Sequence, residues 1–246
     1  MEYRETDAPA ALQPLVKLGW TLSLPTDGPA PFIHHATPDG CMEIIRRLAG
    51  KSQWNGDQPE CFVAGMLTGP ATLHLGAGSR FVGLRLWPWA WQLISGRPPA
   101  ALIDRWAPLD RAAPGFRMPD TVEAAFGEMA KYSASATMVD LARALPSARM
   151  PADLATSVNL SMRALQRWFE HHVGQPPRSY LRMVRFGDAF ADLPSTSDGL
   201  AGHAAGHGFA DQAHMSREFR SLAGAPPGSA KDRGHGPFIA PEIDRS

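Results

Sequence analysis

Residues 160–177, LSMRALQRWFEHHVGQPP, and residues 209–227, FADQAHMSREFRSLAGAPP, are two copies of one pattern, and this repeat decides the fold of the C-terminal part. Laid over one another, Leu165 meets Met215, Arg167 meets Arg217, Phe169 meets Phe219, Gly174 meets Gly224, and Pro176-Pro177 meet Pro226-Pro227. In each copy a capping residue, Ser161 or Asp211, opens a helix. Its apolar positions at i, i+4 and i+8 (Leu165, Phe169, Val173; Met215, Phe219, Ala223) form one stripe. Glycine then closes the helix and proline forbids its continuation.

The remaining faces carry Arg163, Gln166 and Arg167 in the first copy and Gln212, His214, Ser216 and Arg217 in the second, side chains able to hydrogen-bond base edges in a major groove. Any amphipathic helix exposes polar residues, so either helix alone reads first as a solvated surface helix. A shorter helical segment precedes each copy: Pro151 to Val158, and Asp198 to His207. A helix, a tight turn and a second helix, made twice, is a double helix-turn-helix arrangement.

The residues Leu154-Ala155, Leu160-Ser161, Leu165, Arg167, Phe169, Gly174, Pro177, Tyr180-Leu181, Arg185, Ala189, Ala204, Gly208-Phe209, Asp211-Gln212, Ser216, Arg217, Phe219, Gly224 and Pro227 resemble the AraC/XylS transcription regulators. The resemblance covers roughly the last hundred residues. It implies two helix-turn-helix units joined by a long helix, base contacts two, five and six residues after the N-cap (Arg163, Gln166, Arg167), and Gln212, His214, Ser216 and Arg217 as the matching face of the second unit. Ser161, Asp211 and the helix N-termini fall to phosphate. The implied partners are a double-stranded DNA operator and RNA polymerase. Pro177 to Leu193 is the expected connector, with Tyr180, Leu181, Val184 and Ala189 facing both cores. If it holds the units about 34 Å apart, one chain reads two successive major grooves.

Two features set the second unit apart. His203 and His207 stand where the first unit has Leu154 and Val158, and Gly199, Gly202 and Gly206 each weaken a helix by about 1 kcal/mol relative to Ala. Ala213 and Met215 also replace the Ser and Phe usual in that family. The histidines allow a pH-sensitive element. A metal set of His203, His207 and His214 lacks a carboxylate or Cys at obvious spacing, so no metal site is assigned.

The chain has 246 residues, enough for one large or two modest domains. Charge is balanced at 24 basic and 24 acidic residues, with ten Arg and Lys against eight Asp and Glu between Ser147 and His235. Such a weak excess leaves affinity to placed contacts rather than to a basic surface. The opening MEYRETDAPA lacks the basic and apolar regions of a signal peptide, and no run is long enough to span a bilayer. Cys41 and Cys61 form no CxxC pattern, and a cytoplasmic home with reduced thiols is the plain expectation, a disulfide the alternative.

The first hundred residues carry short apolar runs punctuated by Gly and Pro: LGWTLSLP, CMEIIRRL, CFVAGMLTG, ATLHLGAG and SRFVGLRLWP. Such runs are half-buried strands of an antiparallel sandwich or barrel of jelly-roll type. Trp87 to Ser95 reads as a helix at the end of the sheet, its tryptophans lining an interface, a core or an aromatic pocket. Pro38-Asp39-Gly40, Glu43, Ile44-Ile45, Ala64-Gly65, Gly69-Pro70, Gly83-Leu84-Arg85-Leu86, Pro88 and Leu102 to Asp110 resemble the small cupin-like domain of undetermined role that often precedes an AraC-type module.

The expected organisation is therefore α+β: a cupin-like antiparallel β domain over residues 1–115, a helical linker over 116–146, an all-α double helix-turn-helix domain over 147–235, and a tail over 236–246. The β domain is the expected sensor of a small-molecule effector, a homodimerisation surface, or both. No cofactor and no catalysis are expected. His34, His35, Glu43 and His74 lack an HxH spacing, GxSxG and GxGxxG are absent, and Cys41, a conceivable alkyl acceptor, has no flanking Arg or His to lower its pKa. The alternative is a ligand-binding or enzymatic barrel whose helical module no longer reads DNA.

Overall fold

The computed structural model describes residues 1–27, 31–193 and 199–232. Asp198 at the start of the second helix pair, residues 233–235 and the expected tail lie outside the described residues. In chain order come β1 (Glu2–Asp7), β2 (Val16–Ser23), β3 (Phe32–Ala36), β4 (Met42–Ala49), β5 (Ser52–Gln53), β6 (Cys61–Ala64), β7 (Ala71–Leu75), β8 (Arg80–Leu86), α1 (Pro88–Ser95), a 3-10 turn (Pro99–Leu102), β9 (Trp106–Pro108) and α2 (Leu109–Ala112). Helices follow: α3 (Val122–Met129), α4 (Ala136–Ala144), α5 (Pro151–Ser157), α6 (Met162–His172), α7 (Pro177–Ala191), α8 (Leu200–Gly206), α9 (Gln212–Ala223) and α10 (Pro227–Asp232). Among the described residues no helix is long and apolar enough to cross a membrane.

The strands form two antiparallel sheets, β1-β2-β8-β4-β6-β9 and β3-β7-β5. Strand alternation divides the side chains of the larger sheet. Phe81, Gly83 and Arg85 of β8 alternate with Val82, Leu84 and Leu86. The first set faces inward with Trp20, Ile45 and Phe62, onto Leu73 and Leu75 of the smaller sheet. Val82, Leu84 and Leu86 belong instead to a larger core with Ile44, Trp89, Val122 and Leu141, where the helices cover the sheet. Gly83 has a steric reason to lack a side chain, since a Cβ there would stand 2.1 Å from the Trp20 indole. Among the strands, β1 carries a polar sequence, EYRETD, and gains its conformation from the edge of β2, with which it pairs from Glu2↔Ser23 to Asp7↔Leu18.

The larger core does not stop at the β domain. It runs on through Leu154, Leu165, Phe169, Val173 and Tyr180, so the first helix pair is packed as part of that body. Trp89, fully buried on α1, is the hinge of this contact. Its ring lies 5.9 Å from Trp168 and 6.4 Å from Tyr180, and its indole N–H donates to the Pro14 carbonyl at 2.8 Å. Gly174, at φ +77°, closes α6 directly against the backbone of Ala100. A separate core of Phe186, Phe190, Ala204, Met215 and Phe219 holds the second pair. The connector α7 serves both, placing Tyr180, Leu181 and Val184 in one core and Ala189 in the other.

Candidate functional site

Each repeat helix is built as its sequence dictates. The Ser161 hydroxyl accepts from the Ala164 N–H at 3.2 Å and the Asp211 carboxylate accepts from the His214 N–H, satisfying amides that a helix start leaves without partners. The stripes Leu165, Phe169, Val173 and Met215, Phe219, Ala223 are buried. Arg163, Gln166 and Arg167 on α6 and Gln212 and Arg217 on α9 are exposed, while His214 and Ser216 are half-buried. An exposed Arg can give two donors to guanine O6 and N7, and Gln can pair with adenine. Gln166 bends toward its own helix, its amide donating to Glu170 Oε1 at 3.3 Å. His214 is the most committed of the set, because its Nδ1 accepts from the Ala210 N–H at 3.2 Å and its ring meets Phe209 edge-on.

The structure adds cations that the repeat did not mark. Arg149, Arg178, Arg182 and Arg185 line one groove between the two units, with His214 and Glu218 on its far wall. Arg182 is ion-paired with Glu218 and donates to Ser221 Oγ at 2.9 Å, which ties α7 to α9. Arg185 donates to the Arg149 carbonyl at 2.8 Å, and Arg178 is exposed. Arg178, Arg182 and Arg185 stand at i, i+4 and i+7 on the connector, a spacing legible in the sequence. Such a row can follow a phosphate backbone.

Residues 154–233 match the family model described as a helix-turn-helix domain. Over 78 residues the chain is 32% identical to the HTH-type transcriptional activator RhaS of Pectobacterium atrosepticum, a match covering 32% of this chain and 28% of that protein. RhaS of Pectobacterium carotovorum matches to the same extent. The C-terminal module belongs to the AraC/XylS family. The chain spans 28% of the length of these curated relatives. Preceding it, residues 4–108 match a domain of unknown function, DUF6597. Among solved structures, ToxT of Vibrio cholerae aligns over 93% of this chain and 97% of its own, at 9% identity and a TM-score of 0.48. ToxT with bound unsaturated fatty acid aligns over 85% and 92%, at 12% identity and 0.45.

Ahead of the AraC/XylS module, the β domain encloses a pocket between its sheets, lined by Asp39, Glu43, Trp54, Gln58, Phe62 and Leu73 among others. Arg85 Nε reaches Glu43 Oε1 at 3.1 Å and Asp39 Oδ2 at 3.4 Å, a charge cluster set on the inner face by the register Glu43↔Arg85. Burial pushes the Glu43 carboxyl up to about 7, against the pull of Arg85. The Gln58 carboxamide is 4% exposed and neither its nitrogen nor its oxygen has a protein partner. A buried amide in that state favours a polar group supplied from outside the chain.

The other expected candidates are dispersed. His34 is buried, while its neighbour His35 faces the other way, toward Thr72. Glu43 is engaged by Arg85 on the neighbouring strand of the same sheet. Cys41 and Cys61 are both free thiols, and burial raises the Cys41 thiol well above its ordinary value, the reverse of an activated nucleophile. Trp87, Trp89 and Trp91 are packed into the core, and Trp89 forms the interface with the first helix pair. The carboxylate that sequence spacing could not supply to His203 and His207 comes from the end of α7: Asp192 lies 3.0 Å from His207.

Proposed function

We propose that this chain is a transcription regulator that binds a specific double-stranded DNA site. Arg163, Gln166 and Arg167 of α6 and Gln212, His214, Ser216 and Arg217 of α9 read bases. The helix starts capped by Ser161 and Asp211, with Arg178 and its neighbours in the groove, meet phosphates. The observation that carries this reading is the exposure of Arg163 and Arg167 on a helix whose opposite stripe is buried, in a module matching named transcriptional activators. The chain acts in the cytoplasm, with RNA polymerase and a second copy of itself as further partners. Its working parts are residues 1–115, 116–146 and 147–235.

The β domain is the sensor in this proposal. Its effector is a small molecule, mainly apolar against Trp54, Phe62 and Leu73, with a polar group matched to the Gln58 amide. Support for coupling comes from the loop at Asp39 and Gly40, which touches Arg85 on one side and α7 on the other. Selection of binding sequences from a random duplex pool, at two salt concentrations, tests the function. The expected result is a bipartite motif lost in Arg167→Ala with the fold intact. A motif unchanged by Arg167→Ala would overturn the base-reading assignment, and enrichment of no sequence would overturn the proposal of specific DNA binding.

A further inference from the structure

We propose that Asp192, His203 and His207 form a binding site for one divalent transition-metal ion, zinc by its ligand set, which clasps the connector helix to the second helix-turn-helix unit. His203 on α8 and His207, which caps its end, stand one turn apart, with ring centroids 4.4 Å apart. Asp192 caps the end of α7, and its Oδ1 lies 3.0 Å from His207 Nε2 and 3.9 Å from His203 Nε2. One ligand atom from each residue lies within 4.8 Å of the others, and among the described residues no other group of three His, Cys, Asp or Glu is brought so close.

Zinc–nitrogen bonds of about 2.0–2.1 Å in a tetrahedron put ligand atoms roughly 3.3 Å apart, so Asp192 needs adjustments of about half an ångström and the widest pair of ligand atoms must close by up to about 1.5 Å through side-chain rotation. Two imidazoles and one carboxylate leave the fourth position to water. The burial fits that division: the histidine side chains are 9% and 21% exposed and the Asp192 side chain 65% exposed, with its open side toward solvent. Without metal, His203 Nε2 is 2.7 Å from the Ala189 carbonyl. On binding, its ring proton moves to Nδ1 and Nε2 turns its lone pair to the ion, with no net change in bound protons for a neutral ring. The physical need for a clasp is visible in α8, where Gly202 and Gly206 weaken the helix and the histidines occupy the places of Leu154 and Val158 in the first unit. An ion that binds only the folded arrangement adds its binding free energy to that of the unit.

The test uses the full chain, stripped with a chelator and titrated with zinc against a chromophoric competitor. One equivalent is expected, together with a zinc-dependent rise in Tm. Asp192→Asn, at an exposed carboxylate, is expected to keep the parent circular dichroism while weakening zinc binding by more than about tenfold and removing the Tm rise. His207→Gln should do the same to zinc binding, and His171→Ala should change nothing. Cobalt in place of zinc should give the visible bands of a nitrogen- and oxygen-ligated tetrahedral ion, absent in Asp192→Asn. Failure of the parent chain to bind zinc, or binding that survives both Asp192→Asn and His207→Gln, overturns the proposal.

Discussion

Gly187 of the connector helix lies against the backbone of Asp39, so close that a Cβ on the glycine would stand 3.0 Å from the Asp39 Cα. The neighbouring Gly40, at φ +77°, meets Val184 in the same way at 2.8 Å. Asp39 also faces Arg85 in the pocket of the β domain. One short loop therefore touches the pocket's charge cluster and the helix that spaces the two helix-turn-helix units. A side chain at either glycine pushes them apart. Gly40→Ala, which adds left-handed strain to the clash, is expected to cost about 1–3 kcal/mol in urea denaturation, and Gly187→Leu a similar amount.

Arg167→Ala and Arg163→Ala should each lose one guanidinium from the exposed side of α6 that the proposed function assigns to the groove. A bidentate contact to guanine discriminates by about 1–3 kcal/mol, so under that proposal fluorescence anisotropy on the selected site should show roughly a 5- to 150-fold loss in affinity for each of the two arginines. Arg178→Ala should instead weaken all sequences alike and lower the salt slope by about one.

Tyr180 is fully buried and its hydroxyl finds no protein partner. Its ring nonetheless bridges Trp89 and Phe169 at 6.4 and 5.6 Å. Tyr180→Phe keeps the ring and removes only the unsatisfied group, so its stability should equal or exceed that of the parent. Tyr180→Ala should cost several kcal/mol, about what a large buried aromatic loses to a cavity. Thermal unfolding of the two variants separates the hydroxyl from the ring.

Glu43 sets a pH dependence with a definite sign. Its folded carboxyl is raised to about 7 from an ordinary 4.5, so the folded state holds more protons than the unfolded state between those values. Stability from this group is fully present below about pH 4.5, is lost as pH rises toward about 7, and changes no further above that. Glu43→Gln should flatten that part of the pH–stability curve while weakening the fold through the loss of a charged partner for Arg85. If the difference between the parent and Glu43→Gln curves is flat through this window, Glu43 is already ionised in the folded state there.

Much of the architecture could be read along the chain. The stripes Leu165-Phe169-Val173 and Met215-Phe219-Ala223, the caps Ser161 and Asp211 and the stop at Gly174 are local patterns, and the helices follow them. Strand β8, expected to be half-buried, is instead buried at every residue after Arg80, because the smaller sheet covers one face and the helices the other. What escaped was non-local. Strand β1 is polar along its length and owes its form to β2. The four arginines of the groove come from the segment before α5 and from α7, and only Arg178, Arg182 and Arg185 share a helical face.

By itself the sequence determined the periodic elements, since hydrophobic spacing and capping act within a few residues of chain. It also determined the family of the C-terminal module, because the repeat repeats its apolar, glycine and proline positions. Tertiary structure alone decided what those elements touch. Trp89 turned from one of three alternating tryptophans into the contact between the barrel and the first helix pair. Asp192 became the partner of His207 because packing sets the end of α7 beside the end of α8. Periodicity orients a side chain relative to its own helix or strand; the partner across the interface is chosen by how whole elements pack, and no spacing within one element encodes it.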